Sequence, residues 1–161
     1  GSGQHETTSL CLEALQKYWH KQARIADIGC GSGILGIAAA LLGATEVQSI
    51  DNDQKAVEIS QENALLNNVS ALVRAKKGDL SRGLQGKFDL ILANIVADAI
   101  IDLAAQVGDF LNPQGIFIAS GILDIRQEDV SKAFLLNDWQ VLEIMEQGQW
   151  RAFIVQKQKQ K

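Results

Sequence analysis

The sequence predicts an α/β protein with a doubly wound, seven-stranded, mostly parallel sheet that ends in a C-terminal antiparallel hairpin. Three observations predict it. Apolar runs alternate with amphipathic or small-residue stretches in a strand–helix order repeated five times, the pattern of parallel strands joined by right-handed crossovers. The first strand runs into a glycine-rich turn, Asp27-Ile28-Gly29-Cys30-Gly31-Ser32-Gly33, that opens a helix. Trp139 to Glu146 and Trp150 to Gln156 read as two strands about Gln147-Gly148-Gln149, a hairpin that adds one antiparallel strand. One domain is expected for 161 residues, 47% hydrophobic and 21% charged, a chain long enough to bury a substantial core.

In order, Gly1 to Thr8 is polar, and Thr8 to Tyr18 reads as an amphipathic helix with Leu10, Leu12, Leu15 and Trp19 near one face, within an opening helical segment 7–19. Thr7 or Thr8 is its candidate N-cap. Ile25, Ala26 and Ile28 form a buried strand, and Ile34 to Leu42 packs as a helix without a polar face, stopped by Gly43. Glu46 to Ile50 returns to strand and presents Asp51 at its carboxyl end. Asp53 caps the next helix, whose apolar side is Ala56, Val57, Ile59, Ala64 and Leu65, and Asn67-Asn68 ends it. Ala71 to Ala75 is a short strand, and Lys76 to Gly86 a loop containing Gly78-Asp79. Phe88 to Ala93 is a strand ending in Asn94, and Ala97 to Val107 a helix. Pro113-Gln114-Gly115 makes a turn before the fifth strand, Ile116 to Ser120, ended by Gly121. Ile125 to Leu136 is a helix before the hairpin. The domain spans 1–156, and the Gln/Lys alternation of 157–161 predicts a disordered basic tail.

The net charge of -4 argues against broad nucleic-acid or membrane-surface binding, and leaves a basic protein partner open. No apolar run is long enough to span a membrane, and no signal-peptide pattern is present at the start. Cys11 and Cys30 are too few for a disulfide framework and too isolated for a metal site, so free thiols, a reducing cytoplasmic setting and no metal are expected. Cys30 as a nucleophile lacks a placeable His, and reads as a small turn residue.

The glycine turn admits two cofactors. Gly31, Gly33 and Gly36 satisfy G-x-G-x-x-G with Asp51 about 20 residues on, as a dinucleotide site would. Asp27 and Gly29 extend the match to Asp-Ile-Gly-Cys-Gly-Ser-Gly, which resembles the first motif of class I S-adenosylmethionine-dependent methyltransferases, whose fold is Rossmann-like. A carboxylate at Asp27 would repel a pyrophosphate and suits the amino-acid end of S-adenosylmethionine, directly or through water. The C-terminal hairpin favours the same choice. In this reading Gly29, Gly31 and Gly33 bring backbone N–H groups close to the ligand, and Asp51 holds its ribose hydroxyls. Asn94 at its strand end either faces that crevice or caps the helix near Ala97.

His5-Glu6-Thr7-Thr8-Ser9-Leu10-Cys11-Leu12 resembles the H-x-T-T-x-L-C-L opening of the bacterial methyltransferases of ribosomal protein L-eleven (L11). Asn63-Ala64 with Asn67, Ala93-Asn94-Ile95, Ser120-Gly121-Ile122-Leu123 and Trp150 match further blocks of that family in order. The resemblance implies cofactor contacts from Thr8, Gly29, Asp51 and Asn94, with Asp79 near the adenine amine, and Asn94 on the substrate side. His5 is a candidate catalytic residue only through its place in the opening motif, where it would instead help fold an opening loop over the cofactor. It also implies trimethylation of lysine ε-amines and the N-terminal α-amine of L11, free before ribosome assembly, with no direct nucleic-acid or membrane partner. Family members carry an N-terminal substrate-recognition domain. The chain starts at the opening motif, so that domain is expected to be absent, as in a fragment or a shorter relative with another substrate. Gly1-Ser2-Gly3 reads as a cloning remnant or, by likeness to the family's F-G-T-G start, as native.

Overall fold

Two layers of helix enclose the seven strands expected. A computed structural model describes residues 4–159, so Gly1-Ser2-Gly3 and the last two residues of the basic tail lie outside it. The helices are α1 (Gln4–Tyr18), α2 (Ile34–Leu42), α3 (Gln54–Leu66), α4 (Ala97–Ala104) and α5 (Gln127–Leu136). The strands are β1 (Arg24–Ile28), β2 (Glu46–Asp51), β3 (Val73–Lys77), β4 (Phe88–Asn94), β5 (Leu111–Leu123), β6 (Trp139–Gln147) and β7 (Trp150–Lys157). They form one sheet in the order β3-β2-β1-β4-β5-β7-β6. The strand order reverses between β1 and β4, so the carboxyl ends of those strands flank a crevice where ligands sit in open α/β sheets. Among the described strands β7 alone is reversed, pairing antiparallel with both β5 and β6.

Each face of the sheet carries its own core. Leu10, Leu15, Leu35 and Ala64 from α1, α2 and α3 pack on one side, and Ile100, Leu103, Val130 and Phe134 from α4 and α5 on the other. An aromatic cluster anchors the second side: Phe134 lies with ring centroids 6.0 Å from Phe117, 6.0 Å from Trp139 and 5.6 Å from Phe153. The buried Trp139 indole donates to the Ala104 carbonyl at 2.9 Å, so its one polar group stays satisfied. The sheet edges are guarded. β3 presents Arg74, Lys76 and Lys77, and β6 carries a register shift between Val141 and Glu143, both devices that discourage strand addition.

Long-range pairing corrects several expected boundaries. α1 begins at Gln4, which places Thr7 and Thr8 inside the helix, so neither is its N-cap and the expected opening loop is helical. β3 starts two residues late because Leu72 and Val73 N–H groups donate back to Val69 and keep 69–72 in a turn. α4 stops at Ala104, before a 3-10 turn at Val107–Phe110. β5 runs through the expected Pro113 turn, but the register jumps from Phe88↔Leu111 to Leu90↔Ile116, leaving 112–115 as an irregularity without ladder partners on β4, the form in which an inner strand tolerates proline. Gly121 does not end β5. It holds φ 86 while the β7 register shifts between Ala119 and Ile122. α5 begins at Gln127, after a 3-10 turn at Asp124–Arg126. Lys157, expected in a disordered tail, is the last residue of β7 opposite Trp139, and its Nζ donates to the Asn137 carbonyl at 2.6 Å.

Candidate active site

β1 delivers the chain into the glycine turn, and the end of β2 closes that turn from below. Gly29 and Cys30 N–H groups both donate to the Ile50 carbonyl, at 2.8 and 3.0 Å, and Gly33 N–H donates to Cys30 at 2.8 Å. Gly31 N–H donates to Asp51 Oδ2 at 2.9 Å. The turn therefore spends three of these four amides on the end of β2 and one within itself, which corrects the expectation that they would reach toward a ligand. What the glycines provide is room. At Gly29 the φ is 72 and an added Cβ would lie 2.5 Å from Ile95 Cγ2. A Cβ on Gly36, the third glycine of the fingerprint, would press on Ser49 and Val47 at 3.0 Å, so that position serves helix–strand packing. Gly29→Ala combines a left-handed backbone with this contact, and is expected to cost about 2 kcal/mol, or roughly 4–8 °C in Tm. Thermal denaturation checks it, and adding Ile95→Ala should recover the contact part only.

Asp51 is fixed as the mouth of the site requires. Its second oxygen accepts from Asp53 N–H at 2.9 Å, and Asp53 in turn caps α3 through Lys55 N–H at 3.0 Å. A carboxylate held by two amides keeps its remaining lone pairs for outside donors such as vicinal hydroxyls. It borders a cavity of about 370 Å³ with apolar walls from Ile28, Ile50, Leu80 and Ile95, and with Gly29 and Asp79 also at its lining. Apolar walls, a carboxylate with free lone pairs at one side and a second, exposed carboxylate suit an adenosine-like group.

The second half of the crevice is built by α1 across the ends of β4 and β5. Asn94 Nδ2 lies 3.5 Å from Thr8 Oγ1, and the buried Ser120 hydroxyl donates to the Thr7 carbonyl at 3.0 Å. The N-cap residue of α4 is Val96, with no side-chain capping bond, so Asn94 is not a cap and its amide belongs to the crevice. Gly121 leaves it space: a Cβ there would approach Asn94 Oδ1 to 3.0 Å and the Ile95 carbonyl to 2.7 Å.

The remaining expected residues sit differently. Asp27 is only 1% exposed and neither oxygen has a hydrogen-bond partner among the described residues. Burial raises its pKa to about 7; the Gly36 N–H opposes this without completing a bond of ordinary geometry, and Asp51 adds to the rise. Gly31 and Gly33 are not in the cavity lining; Gly33 backs onto Ser60 on α3. His5 is exposed in the first turn of α1 and is not among the cavity residues. Cys30, largely desolvated, has its thiol pKa pushed up to about 12, and burial raises that of Cys11 as well, which suits inert turn and core residues. Sequence reasoning missed Leu80, Ile95, Val96 and Ala99 as cavity residues, although Leu80 follows Gly78-Asp79 and the other three follow Asn94. A larger groove of about 890 Å³ is lined by Lys87, Gly108, Pro113, Asp138 and Lys157, and shares no residue with the glycine turn.

The sheet order, the glycine turn after β1 and the acid that ends β2 define a class I methyltransferase domain, whose cofactor is S-adenosylmethionine. The family described as ribosomal protein L11 methyltransferase (PrmA) matches residues 1–158, and the chain belongs to it. Curated relatives named ribosomal protein L11 methyltransferase from Heliobacterium modesticaldum and Caldicellulosiruptor saccharolyticus are 45% and 46% identical over 157 residues, 98% of this chain but only 50% and 51% of theirs. The chain thus spans about half the length of the curated relatives it matches. The solved ribosomal protein L11 methylase of Lactobacillus delbrueckii subsp. bulgaricus superposes with a TM-score of 0.94 at 35% identity, covering 98% of this chain and 81% of that one.

Proposed function

We propose that this chain is the catalytic part of an S-adenosylmethionine-dependent protein methyltransferase that acts on amines of ribosomal protein L11, on lysine ε-amines, the N-terminal α-amine or both. One observation carries the choice of cofactor. The turn amides that would cradle a pyrophosphate are closed onto Ile50, Cys30 and Asp51, while the clamped Asp51 faces an adenosine-sized cavity. In this reading Asp51 takes the ribose hydroxyls, Asp79 the adenine amine, and the side-chain-free edge of Gly29 lets the ligand lie against β1. Thr8 and Asn94 border the methionine half. Asp27, Gly31 and Gly33 act from behind the turn, Asp27 through its field and the two glycines by holding the turn's shape.

Bound S-adenosylmethionine supplies an activated methyl group, so the protein's task is alignment of a neutral amine, worth roughly 7–11 kcal/mol when positioned in line. In this reading the Asn94 carbonyl accepts from that amine and orients its lone pair. A lysine ammonium has a pKa near 10.4 in water, and the apolar wall around Ile95 and Val96 favours its neutral form by desolvation. His5, exposed and away from the cavity lining, is assigned to the outer surface of α1 and not to proton transfer. The half of the relatives' length that this chain does not match is assigned to substrate recruitment, and the setting to the bacterial cytoplasm, on L11 before its assembly. Among the described residues no helix is long and apolar enough to cross a membrane.

Intact-mass spectrometry of purified L11 tests this, with this chain beside a form extended to the relatives' full length. Methyl-step mass gains are expected, larger with the extended form. Binding of S-adenosylhomocysteine without transfer by either form would overturn the substrate, and binding of NAD instead would overturn the cofactor.

A further inference from the structure

The rim beyond Asn94 is both apolar and acidic, and none of the roles above uses it as a surface. Val96, where β4 leaves the cavity wall, is 69% exposed, and Ile125 in the 3-10 turn after β5 is 80% exposed. A single exposed aliphatic residue is ordinary. These two flank one opening because Arg126 ties their segments together. Its Nη2 donates to Asp98 in the first turn of α4 at 2.6 Å, and its Nε to Asp129 in α5 at 3.1 Å. Asp124 N–H donates to the Gln149 carbonyl at 2.8 Å and fixes the other side of the turn to the β6–β7 hairpin. The rim is therefore braced from α4, α5 and the hairpin at once.

Its charge is one-sided. Asp98, Asp124, Glu128, Asp129 and Glu146 are exposed around this turn. Of the nearby cations, Arg126 is engaged as described, Arg151 with Gln127 at 3.0 Å and Glu146 at 3.5 Å, and Lys132 lies one turn beyond Glu128 on α5, which leaves the carboxylates in excess. Exposed aliphatic groups beside surplus carboxylates complement a chain segment that alternates aliphatic and cationic side chains. A negative rim raises the local concentration of such a segment and steers its approach.

We propose that this rim docks the basic, aliphatic-flanked segment of the protein substrate on either side of the amine to be methylated, an inference that rests on reading the site as a protein amine methyltransferase. Val96 and Ile125 take the aliphatic side chains, the carboxylates of Asp124 and Glu128 the flanking cations, and the amine between them passes Val96 to reach Asn94.

The test uses this chain saturated with S-adenosylhomocysteine, and the peptide acetyl-Ala-Lys-Ile-Lys-Ala-Lys-amide beside its counterpart with Glu in place of each Lys. Calorimetry should detect binding of the lysine peptide only, weakened about fivefold or more by Ile125→Ser and by the pair Asp124→Asn with Glu128→Gln. All three substituted positions are exposed and outside the cofactor cavity, so the affinity for S-adenosylhomocysteine should stay unchanged, which also shows that the variants fold. No binding of the lysine peptide by the unsubstituted chain, equal binding of the glutamate peptide, or indifference to either variant would overturn the docking surface. If the lysine peptide binds as expected but neither it nor L11 is methylated when S-adenosylmethionine is supplied, the functional reading fails while the surface stands.

Discussion

Asn94→Ala is expected to lower kcat for methyl transfer roughly 10²-fold while changing the S-adenosylhomocysteine dissociation constant less than about threefold. The expectation follows from what Asn94 does not do. It caps no helix, since α4 starts from Val96 without a side-chain bond, and it is absent from the lining of the 370 Å³ cavity, which takes up this part of the chain only at Ile95. Its amide is directed at the α1 side of the crevice by a 3.5 Å approach to Thr8 and by the open space that Gly121 leaves at Oδ1. A group placed there contributes mostly once a substrate amine is present, so its loss falls on the step and not on cofactor binding. Asn94→Asp keeps the acceptor and adds charge, and should raise the apparent amine pKa and shift the pH–rate profile upward. Steady-state kinetics with L11 and calorimetry with S-adenosylhomocysteine separate the two parameters. Equal losses in both would place Asn94 on the cofactor and remove its substrate-side role.

The parts of the site legible in the sequence are those fixed by local chemistry. Glycines that need positive φ or open space mark the turn, and Asp51 and Asn94 are polar residues ending apolar strands, a position that α/β sheets reserve for ligands. The parts that escaped depend on residues far apart in the chain. The sequence predicts a threonine cap for α1, but the Thr7 carbonyl is held by Ser120, 113 positions away, and the helix extends back to Gln4. The two expected ends of β5, at the Pro113 turn and at Gly121, become irregularities within one strand, because neighbours on β4 and β7 continue the ladder past them. The role of the turn amides escapes the sequence for a related reason. The sequence shows three glycines near an acid, but only the fold shows that the Ile50 and Cys30 carbonyls and the Asp51 carboxylate already satisfy them.

Asp27→Asn is expected to stabilise the chain at pH 8, by an amount that grows from near zero at pH 4. A carboxyl whose pKa is about 7 in the folded state and about 3.9 in the unfolded chain binds more protons when folded throughout that interval. Stability therefore falls as pH rises between those values and levels off above the higher one. Three units correspond to roughly 4 kcal/mol as an upper bound, and partial compensation by the Gly36 amide lowers it. The asparagine has nearly the same shape and no charge to desolvate, so it should lose this slope. Cys11 on α1, Cys30 in the glycine turn and Asp51 on β2 are titratable groups coupled to Asp27, and burial keeps both thiols protonated across this pH range. All three residues are retained in the substituted chain, and Glu46 and Glu143, whose carboxyls are held low by Arg24 and Lys17, tilt both proteins equally toward higher stability above pH 4. The difference between the two denaturant midpoints as a function of pH thus isolates Asp27. Parallel curves would show that Asp27 stays ionised in the fold, compensated by the Gly36 amide at the start of α2 and not by a proton.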